Sequence, residues 1–175
     1  MSQLEQVVVR SCIPKDYGVI AKIYNEAIAT EQITFDTDLF TAVEIQGWVE
    51  QFNDREGLLV AQLDQKILGW AIFKRYSDRP GYRLCCETSI YLTFTQRGKG
   101  YGSLLQKALL DKVASLGYHH VVVKIVATNQ GSIDFHQAFG FQRVGIQQEI
   151  GYVGGRWQDV AIMQLIVPQM PSPLL

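Results

Sequence analysis

The 175-residue sequence predicts an α/β fold with a mixed sheet of about seven strands, in the order β-α-α-β-β-β-α-β-α-β-β. Apolar runs of strand length and helical periodicities do not alternate regularly, which disfavours a Rossmann domain. Residues 58–75 contain two apolar stretches around Asp64-Gln65 and predict a β-hairpin. The almost continuously apolar "HVVVKIVA", residues 120–127, predicts a strand that is buried on both faces.

The first half of the chain supplies one strand and two helices before the hairpin. "QVVVRSC" predicts the strand, and Pro14 suits the first turn of the helix that follows. That helix has an apolar stripe at helical spacing: Ile20, Ile23, Tyr24, Ala27 and Ile28. Thr41 and Glu44 form a capping-box pattern at the start of the second helix. The buried stripe of this helix is predicted to be Ile45, Trp48, Val49 and Phe52.

The second half is expected to supply four strands and two helices. A strand at 82–94 precedes a glycine-rich segment, and the helix after that segment is expected to end at Gly117. A short helix at 131–139 follows the buried strand. Two final strands are expected near 142–150 and 157–167.

Length and composition predict a single domain, residues 1–167, followed by a disordered tail at 168–175 that contains three prolines. The net charge of −1 gives no electrostatic reason to expect a nucleic acid or an anionic membrane as a partner. No apolar run approaches the ~20 residues of a membrane helix, and the N-terminus lacks the pattern of a signal peptide. Three cysteines, two of them adjacent, favour a reducing compartment, the cytoplasm. The cysteines and histidines lack metal-ligand spacing, so no metal is expected.

The segment "TFTQRGKGYGSLL", residues 93–105, raises the main functional question. Gly98, Gly100 and Gly102 stand directly before a helical pattern, in a spacing that fits neither a Rossmann fingerprint nor a Walker loop. The spacing alone leaves a phosphate site and a structural turn equally open. The context favours an anion, because Arg97 and Lys99 add positive charge and the first turn of the helix carries no acidic residue.

Two motifs together resemble the GCN5-related N-acetyltransferase (GNAT) superfamily. Arg97-x-x-Gly100-x-Gly102 is similar to its Q/R-x-x-G-x-G/A motif. "ATNQGSIDFHQAFGF", residues 127–141, resembles its N-x-x-S/A…G-F segment and stands one helix and one strand further on. The resemblance implies the GNAT fold, a mostly antiparallel sheet in which one parallel pair of strands splays apart to bind acetyl-CoA.

The resemblance also implies which residues hold acetyl-CoA. Backbone amides of the glycine turn would bind its pyrophosphate, and the strand edge at Ile90 to Leu92 would bind its pantetheine amides. Asn129 is expected either to bind the cofactor or to cap the helix behind it. The full expected set is Ile90, Tyr91, Leu92, Arg97, Gly98, Lys99, Gly100, Tyr101, Gly102, Ser103, Asn129 and Ser132.

Further features resemble one branch of the superfamily, the phosphinothricin and methionine sulfoximine N-acetyltransferases. These features are His136 where most members carry tyrosine, an acid in "ETSIYL", and "GYVGGRWQDV" at 151–160. The similarity covers residues from about 7 to 167. It implies direct transfer from acetyl-CoA to the α-amino group of a small amino acid or analogue, and a homodimer whose partner borders the active site. The loop 74–82 and the Cys85-Cys86 pair depart from the branch pattern.

Acetyl transfer to an amine needs a held thioester, a neutral amine and a proton for the departing thiolate. The resemblance assigns Glu87 as the base, while the residues alone leave open a structural ion pair between Glu87 and Arg83. His136 is expected to protonate the thiolate or to help hold the amine. Tyr82 and Arg83 are expected to bind the carboxylate or the anionic side group of the acceptor.

Other functions remain open from the sequence. The same cofactor can serve a different acceptor, such as a protein N-terminus, a polyamine or an antibiotic. The protein can also be a non-catalytic acyl-CoA binding module or, less well supported, a nucleotide-binding protein. Cys85 and Cys86 are interpreted as core residues rather than as nucleophiles, because the superfamily transfers the acetyl group directly.

Overall fold

A mixed sheet in the strand order β1-β2-β3-β4-β5-β7-β6 runs through the protein. The computed structural model describes residues 3–167, and the predicted tail at 168–175 lies outside the described residues. The described strands are β1 Val7–Ser11, β2 Gly57–Leu63, β3 Lys66–Arg75, β4 Cys85–Leu92, β5 His120–Val126, β6 Gln142–Val153 and β7 Arg156–Ile166. The α-helices are α1 Tyr17–Ile28, α2 Ala42–Glu50, α3 Tyr101–Ser115 and α4 Gln130–Ala138. The predicted number and order of elements are therefore confirmed for residues 3–167.

Neighbouring strands of the sheet are antiparallel except for β4 and β5, which are parallel. Helices α1 and α2 cover one face of the sheet, where Ile20, Ile45 and Trp70 belong to one apolar core. Helices α3 and α4 cover the other face, where Leu109 and Ile133 belong to a second core. The sheet therefore separates two cores, and β4 contributes side chains to both.

Local chemistry explains where several elements begin and end. The capping box at α2 is formed as predicted, with the Thr41 hydroxyl accepting from the N–H of Val43. The hairpin turn falls at the predicted residues Asp64-Gln65, because Leu63 pairs with Lys66. The turn between β6 and β7 consists of Gly154 and Gly155, both with positive φ, which suits a two-residue hairpin.

The strand predicted at 82–94 is shorter than expected. Pro80 fixes a 3₁₀ turn over Pro80–Tyr82, and β4 begins only at Cys85. Arg83 therefore lies before the strand, outside the alternation of side chains that places Cys85, Glu87, Ser89 and Tyr91 on one face. This displacement removes the basis for pairing Arg83 with Glu87.

Candidate active site

The parallel strands β4 and β5 separate part-way along their length. They pair from Cys85 to Glu87 on β4 and from His120 to Val122 on β5, although both strands continue for several residues. Beyond this pairing the two strands diverge and leave a gap in the sheet. The predicted splay of one parallel pair is therefore present.

The edge of β4 that faces this gap offers unpaired backbone groups. Tyr76 N–H donates to the carbonyl of Cys85, and Thr93 N–H donates to the carbonyl of Leu68. The odd-numbered residues of β4 thus exchange hydrogen bonds with β3, because antiparallel pairs alternate. The backbone of Ile90 and of Leu92 consequently points into the gap. Tyr91 instead presents its backbone to β3, and its ring stacks on Trp70 at a centroid distance of 4.7 Å.

A cleft of about 520 Å³ extends from this gap to the start of α3. It is lined by Ile33, Ile90, Tyr91, Leu92, Arg97, Gly98, Gly100, Gly102, Ser103, Asn129, Gly131, Ser132 and Phe135. Ten of the twelve predicted cofactor residues belong to this lining. Lys99 and Tyr101 do not: the Lys99 ammonium donates to Gln96, 3.2 Å away, and the Tyr101 side chain is buried.

The glycine turn shapes the end of the cleft at α3. Gly98 and Gly100 have φ of 73° and 84°, which glycine adopts without strain, and Gly100 is the N-cap of α3. A helix leaves its first backbone N–H groups without intrahelical acceptors, and the first turn of α3 carries no acidic side chain. This end of the cleft therefore suits a phosphate group.

His136 lies on α4 with its side chain facing the sheet, and it is only 3% exposed. Its Nδ1 lies 2.8 Å from the carbonyl oxygen of Ser132, so Nδ1 carries the proton and donates. Burial lowers the pKa of His136 below its ordinary value, which favours the neutral ring. In the described part of the chain Nε2 has no hydrogen-bond partner, and its lone pair remains available.

Glu87 projects from β4 into a second pocket of about 360 Å³. Its side chain is 17% exposed and is flanked by two lysines. Lys124 Nζ lies 2.7 Å from Oε2, and Lys74 Nζ lies 3.9 Å from Oε1. The remaining lining of this pocket is Tyr24, Ile33, Thr34, Phe35, Asp36, Ser89, Tyr91, Val126, Gln147, Ile150 and Val160.

A narrow crevice of about 40 Å³ joins the pocket to the cleft. It shares Ser89 and Lys124 with the pocket of Glu87, and it shares Asn129 and Ser132 with the cleft. His136 lines this crevice. Glu87 and His136 thus approach the gap between β4 and β5 from opposite faces of the sheet.

The comparison with protein families agrees with this architecture. Residues 9–162 match the family model of the acetyltransferase (GNAT) domain. The chain belongs to the GNAT family. This GNAT enzyme is an acetyl-CoA-dependent N-acetyltransferase, in keeping with the motifs of the glycine turn and of α4.

Known proteins similar to this GNAT enzyme cover almost its whole length. A phosphinothricin N-acetyltransferase of Streptomyces coelicolor is 34% identical over 160 residues, 89% of this chain and 94% of that protein. An L-methionine sulfoximine/L-methionine sulfone acetyltransferase of Pseudomonas aeruginosa is 31% identical over 151 residues, 85% of this chain and 87% of that protein. A Salmonella typhimurium acetyltransferase, solved with acetyl-CoA, superposes with a TM-score of 0.89 at 27% identity and covers 95% of this chain and 97% of that chain.

The cleft of this GNAT enzyme fits acetyl-CoA in its residues as well as in its size. The positive-φ glycines and the start of α3 suit the pyrophosphate, and the free backbone groups of Ile90 and Leu92 in the gap suit the amides of a pantetheine chain. Gly102 lies close to two side chains that line the cleft. A Cβ at this position would lie 3.2 Å from Leu92 Cδ1 and 3.5 Å from the ring of Phe135, so glycine permits this close packing. The side chain of Asn129 accepts from the N–H of Ser132 at 3.2 Å, so it caps α4.

Tyr82 and Arg83 lie away from the pocket of Glu87. Tyr82 lines a separate groove and packs against the ring of Tyr76 at a centroid distance of 5.4 Å. Arg83 lines a cavity beside Arg55, which donates to the Arg83 carbonyl at 2.7 Å. The role of Tyr82 and Arg83 in binding the acceptor stays a prediction. The ion-pair partners of Glu87 are Lys74 and Lys124, not Arg83.

Sequence reasoning missed several residues that line the pocket of Glu87. Lys74 and Lys124 are the most consequential, and residues 33–36 form one wall. One sequence feature could have indicated this site. After the initial His120, Lys124 is the only polar side chain in the strand β5.

Cys86, the residue before Glu87 on β4, is completely buried. Burial raises the pKa of the Cys86 thiol to about 12, so it is protonated at neutral pH and is a poor nucleophile. Residues 3–167 contain no cluster of three or more potential metal ligands. Of the helices that the structure describes, none is both long enough and apolar enough to span a membrane.

Proposed function

We propose that the enzyme acetylates the α-amino group of a small amino acid or amino-acid analogue, of the phosphinothricin, methionine sulfoximine or methionine sulfone type. The observation that carries this proposal is the pocket of Glu87, which opens onto the cofactor cleft through the crevice beside His136. A pocket of about 360 Å³ suits a small acceptor. The names of the two relatives above support the same acceptor class.

In the proposed reaction, the amine nitrogen attacks the thioester carbonyl carbon of acetyl-CoA, so that a C–N bond forms and the C–S bond breaks. The nitrogen loses two protons in all: the first passes to Glu87 before the attack, and the second passes to the departing CoA thiolate. Glu87 accepts a proton from the ammonium group of the acceptor, which is largely protonated at neutral pH because α-amino groups have a pKa of about 8. The lone pair on His136 Nε2 accepts a hydrogen bond from the same amine and aligns it with the crevice. The Nδ1–H bond to Ser132 holds the ring in this tautomer, which favours holding the amine over protonating the thiolate.

The test is release of CoA thiol from acetyl-CoA by the purified protein. The acceptor panel contains phosphinothricin, methionine sulfoximine, methionine sulfone, common amino acids, spermidine and an aminoglycoside. Saturable release with the amino-acid analogues is expected, together with little release for the last two. Preferential turnover of spermidine or of the aminoglycoside would contradict the proposed acceptor class of small amino acids and their analogues. Thermal stabilisation by CoA without any thiol release would point to a binding module instead.

We also propose a homodimer that resides in the cytoplasm. The outer strands β6 and β7 carry exposed apolar side chains, namely Val144, Ile146, Ile150, Tyr152 and Trp157. Exposed apolar side chains on an edge strand and its neighbour are consistent with a subunit interface. The free thiols of Cys12, Cys85 and Cys86 support a reducing compartment. Light scattering at micromolar concentration is expected to give the mass of two chains, and a mass of one chain would contradict the dimer.

A further inference from the structure

The pocket of Glu87 contains a carboxylate and an ammonium group side by side. Lys124 Nζ lies 2.7 Å from Glu87 Oε2, and Lys74 approaches the other carboxylate oxygen at 3.9 Å. The three residues come from neighbouring strands: Lys74 is opposite Glu87 in the register of β3 and β4, and Lys124 lies two residues beyond the partner of Glu87 on β5. The sheet therefore fixes the backbone positions from which one negative and two positive side chains extend.

An α-amino acid is the complementary arrangement, with an ammonium and a carboxylate on adjacent atoms. Placed against the pair, its ammonium faces Glu87 while its carboxylate faces Lys124. A simple amine, an amino amide or the N-terminus of a peptide would satisfy Glu87 but would offer no negative charge to Lys124. A site that pairs with a charged group rejects analogues that lack this group, because its own charge then loses a partner.

Admitting an acceptor between these two residues requires only a small rearrangement. The Lys124 side chain is 46% exposed and that of Lys74 is 49% exposed. An ion pair whose cation is open to solvent contributes little to stability, so separating these pairs costs little. Both lysines have long, flexible side chains that can follow the carboxylate of the acceptor.

Within the described lining of this pocket, Lys74 and Lys124 supply the positive charges. Its second carboxylate, Asp36, already accepts a hydrogen bond from the hydroxyl of Tyr24. Arg83, the cation expected from the sequence, lines a different cavity. The lysines are therefore the cationic groups in this pocket that can bind an acceptor anion.

We propose that Lys124, assisted by Lys74, binds the α-carboxylate of the acceptor and restricts the enzyme to free α-amino acids. The inference rests on the proposed function and adds to it the residues that select the acceptor. Lys124 exchanges its contact with Glu87 for the incoming carboxylate, and Glu87 becomes free to bind the ammonium group. Lys74, the more distant of the two from Glu87, contributes less.

The experiment combines protein variants with acceptor variants. Phosphinothricin, L-methionine sulfone and L-methionine are each compared with their own α-carboxamide in the thiol-release assay. The wild-type protein is expected to favour the acid over its carboxamide by about a hundredfold in kcat/KM. Lys124→Met keeps approximately the length of the side chain and removes the charge. It is expected to raise KM for the acid alone, so that the preference for the acid in kcat/KM falls from about a hundredfold to about fivefold or less. Lys74→Met is expected to reduce the ratio by a smaller factor.

The matched control is Lys107→Met on α3, where Lys107 pairs with Asp111 on the surface and lines neither the pocket nor the cleft. This variant is expected to keep the wild-type ratio. An equal loss of activity toward acid and carboxamide in Lys124→Met would overturn the proposal, since the lysine would then only support Glu87. Restoration of the ratio by Lys124→Arg would support a direct contact with the carboxylate.

Calorimetric titration separates failure of this inference from failure of the proposed function. Each acid and each carboxamide is titrated into protein saturated with CoA, which requires no turnover. Tighter binding of an acid, lost in Lys124→Met, supports the proposal even when no thiol is released. Equal affinities for acid and carboxamide in the wild-type protein would overturn it, whether or not the enzyme is active.

Discussion

The Nδ1 of His136 is hydrogen-bonded to the carbonyl oxygen of Ser132, one turn earlier on α4, at 2.8 Å. Because a carbonyl only accepts, the bond places the ring proton on Nδ1 and leaves the lone pair on Nε2 facing the crevice. Burial lowers the pKa of the ring, so that the neutral form persists to lower pH than for a free histidine.

This relationship predicts an acid-sensitive contribution to stability. The unfolded chain protonates His136 near pH 6.5, whereas the folded protein resists protonation until lower pH. The free energy of unfolding should therefore fall as the pH drops below 6.5, by at most about 1.4 kcal/mol per unit for one proton. His136→Gln should remove this part of the slope in urea unfolding at pH 7.5 and 5.5. His119→Gln, at an exposed position, is the control that keeps the contribution of His136, and an unchanged slope in His136→Gln would contradict the prediction.

Replacing Glu87 by glutamine is expected to lower kcat by about a hundredfold or more at pH 7, because the acceptor ammonium loses its base. The deficit should shrink toward pH 9, where more of the amine is neutral without assistance. Stabilisation by acetyl-CoA in a thermal melt should stay unchanged, because Glu87 lines the acceptor pocket and not the cleft. Full turnover of Glu87→Gln at every pH would show that Glu87 is not the base.

The sequence predicted those parts of the site that depend on local pattern. Gly98, Gly100 and Gly102 alternate over five residues of the chain. Gly98 and Gly100 adopt positive φ, and Gly102 lies close to Leu92 and Phe135, so residue type alone reveals this need for glycine. Asn129 and His136 likewise belong to a single helix and its cap. The capping box of α2 and the hairpin turn at Asp64-Gln65 were predictable for the same reason.

The proposed acceptor pocket depends on pairing between distant segments, which no local pattern reveals. Lys74 and Lys124 are fifty residues apart, and only the register of β3, β4 and β5 brings both to Glu87. The ion pair between Arg83 and Glu87, which the sequence left open, assumed a strand that begins at residue 82, whereas Arg83 lies in the turn before β4 begins at Cys85. The later start of β4 therefore replaces Arg83 by two lysines in the charge environment of Glu87.

Two glycines with the same backbone geometry test the phosphate site. Gly98 and Gly155 both have φ of 73°, and an added Cβ would meet nothing within 4 Å at either position. Each alanine substitution should therefore cost a similar 1–2 kcal/mol of stability, roughly the cost of a left-handed residue. Only Gly98 lines the cofactor cleft, so only Gly98→Ala should raise KM for acetyl-CoA, by about tenfold. Equal KM values for the two variants would argue against phosphate binding at the turn.

Substitution of Thr88 by valine is expected to stabilise the protein. It is 3% exposed, and its hydroxyl has no hydrogen-bond partner among the described residues. An unsatisfied buried hydroxyl costs about 1–3 kcal/mol, while valine fills the same volume without a polar atom. Thr88→Val should therefore raise the free energy of unfolding by about 1 kcal/mol in urea. Thr88→Ser, which keeps the hydroxyl and removes the methyl group, should lower it by a similar amount, about 1 kcal/mol. Destabilisation by Thr88→Val would instead show that the hydroxyl is bonded in solution, most simply to a water in the crevice that His136 also lines.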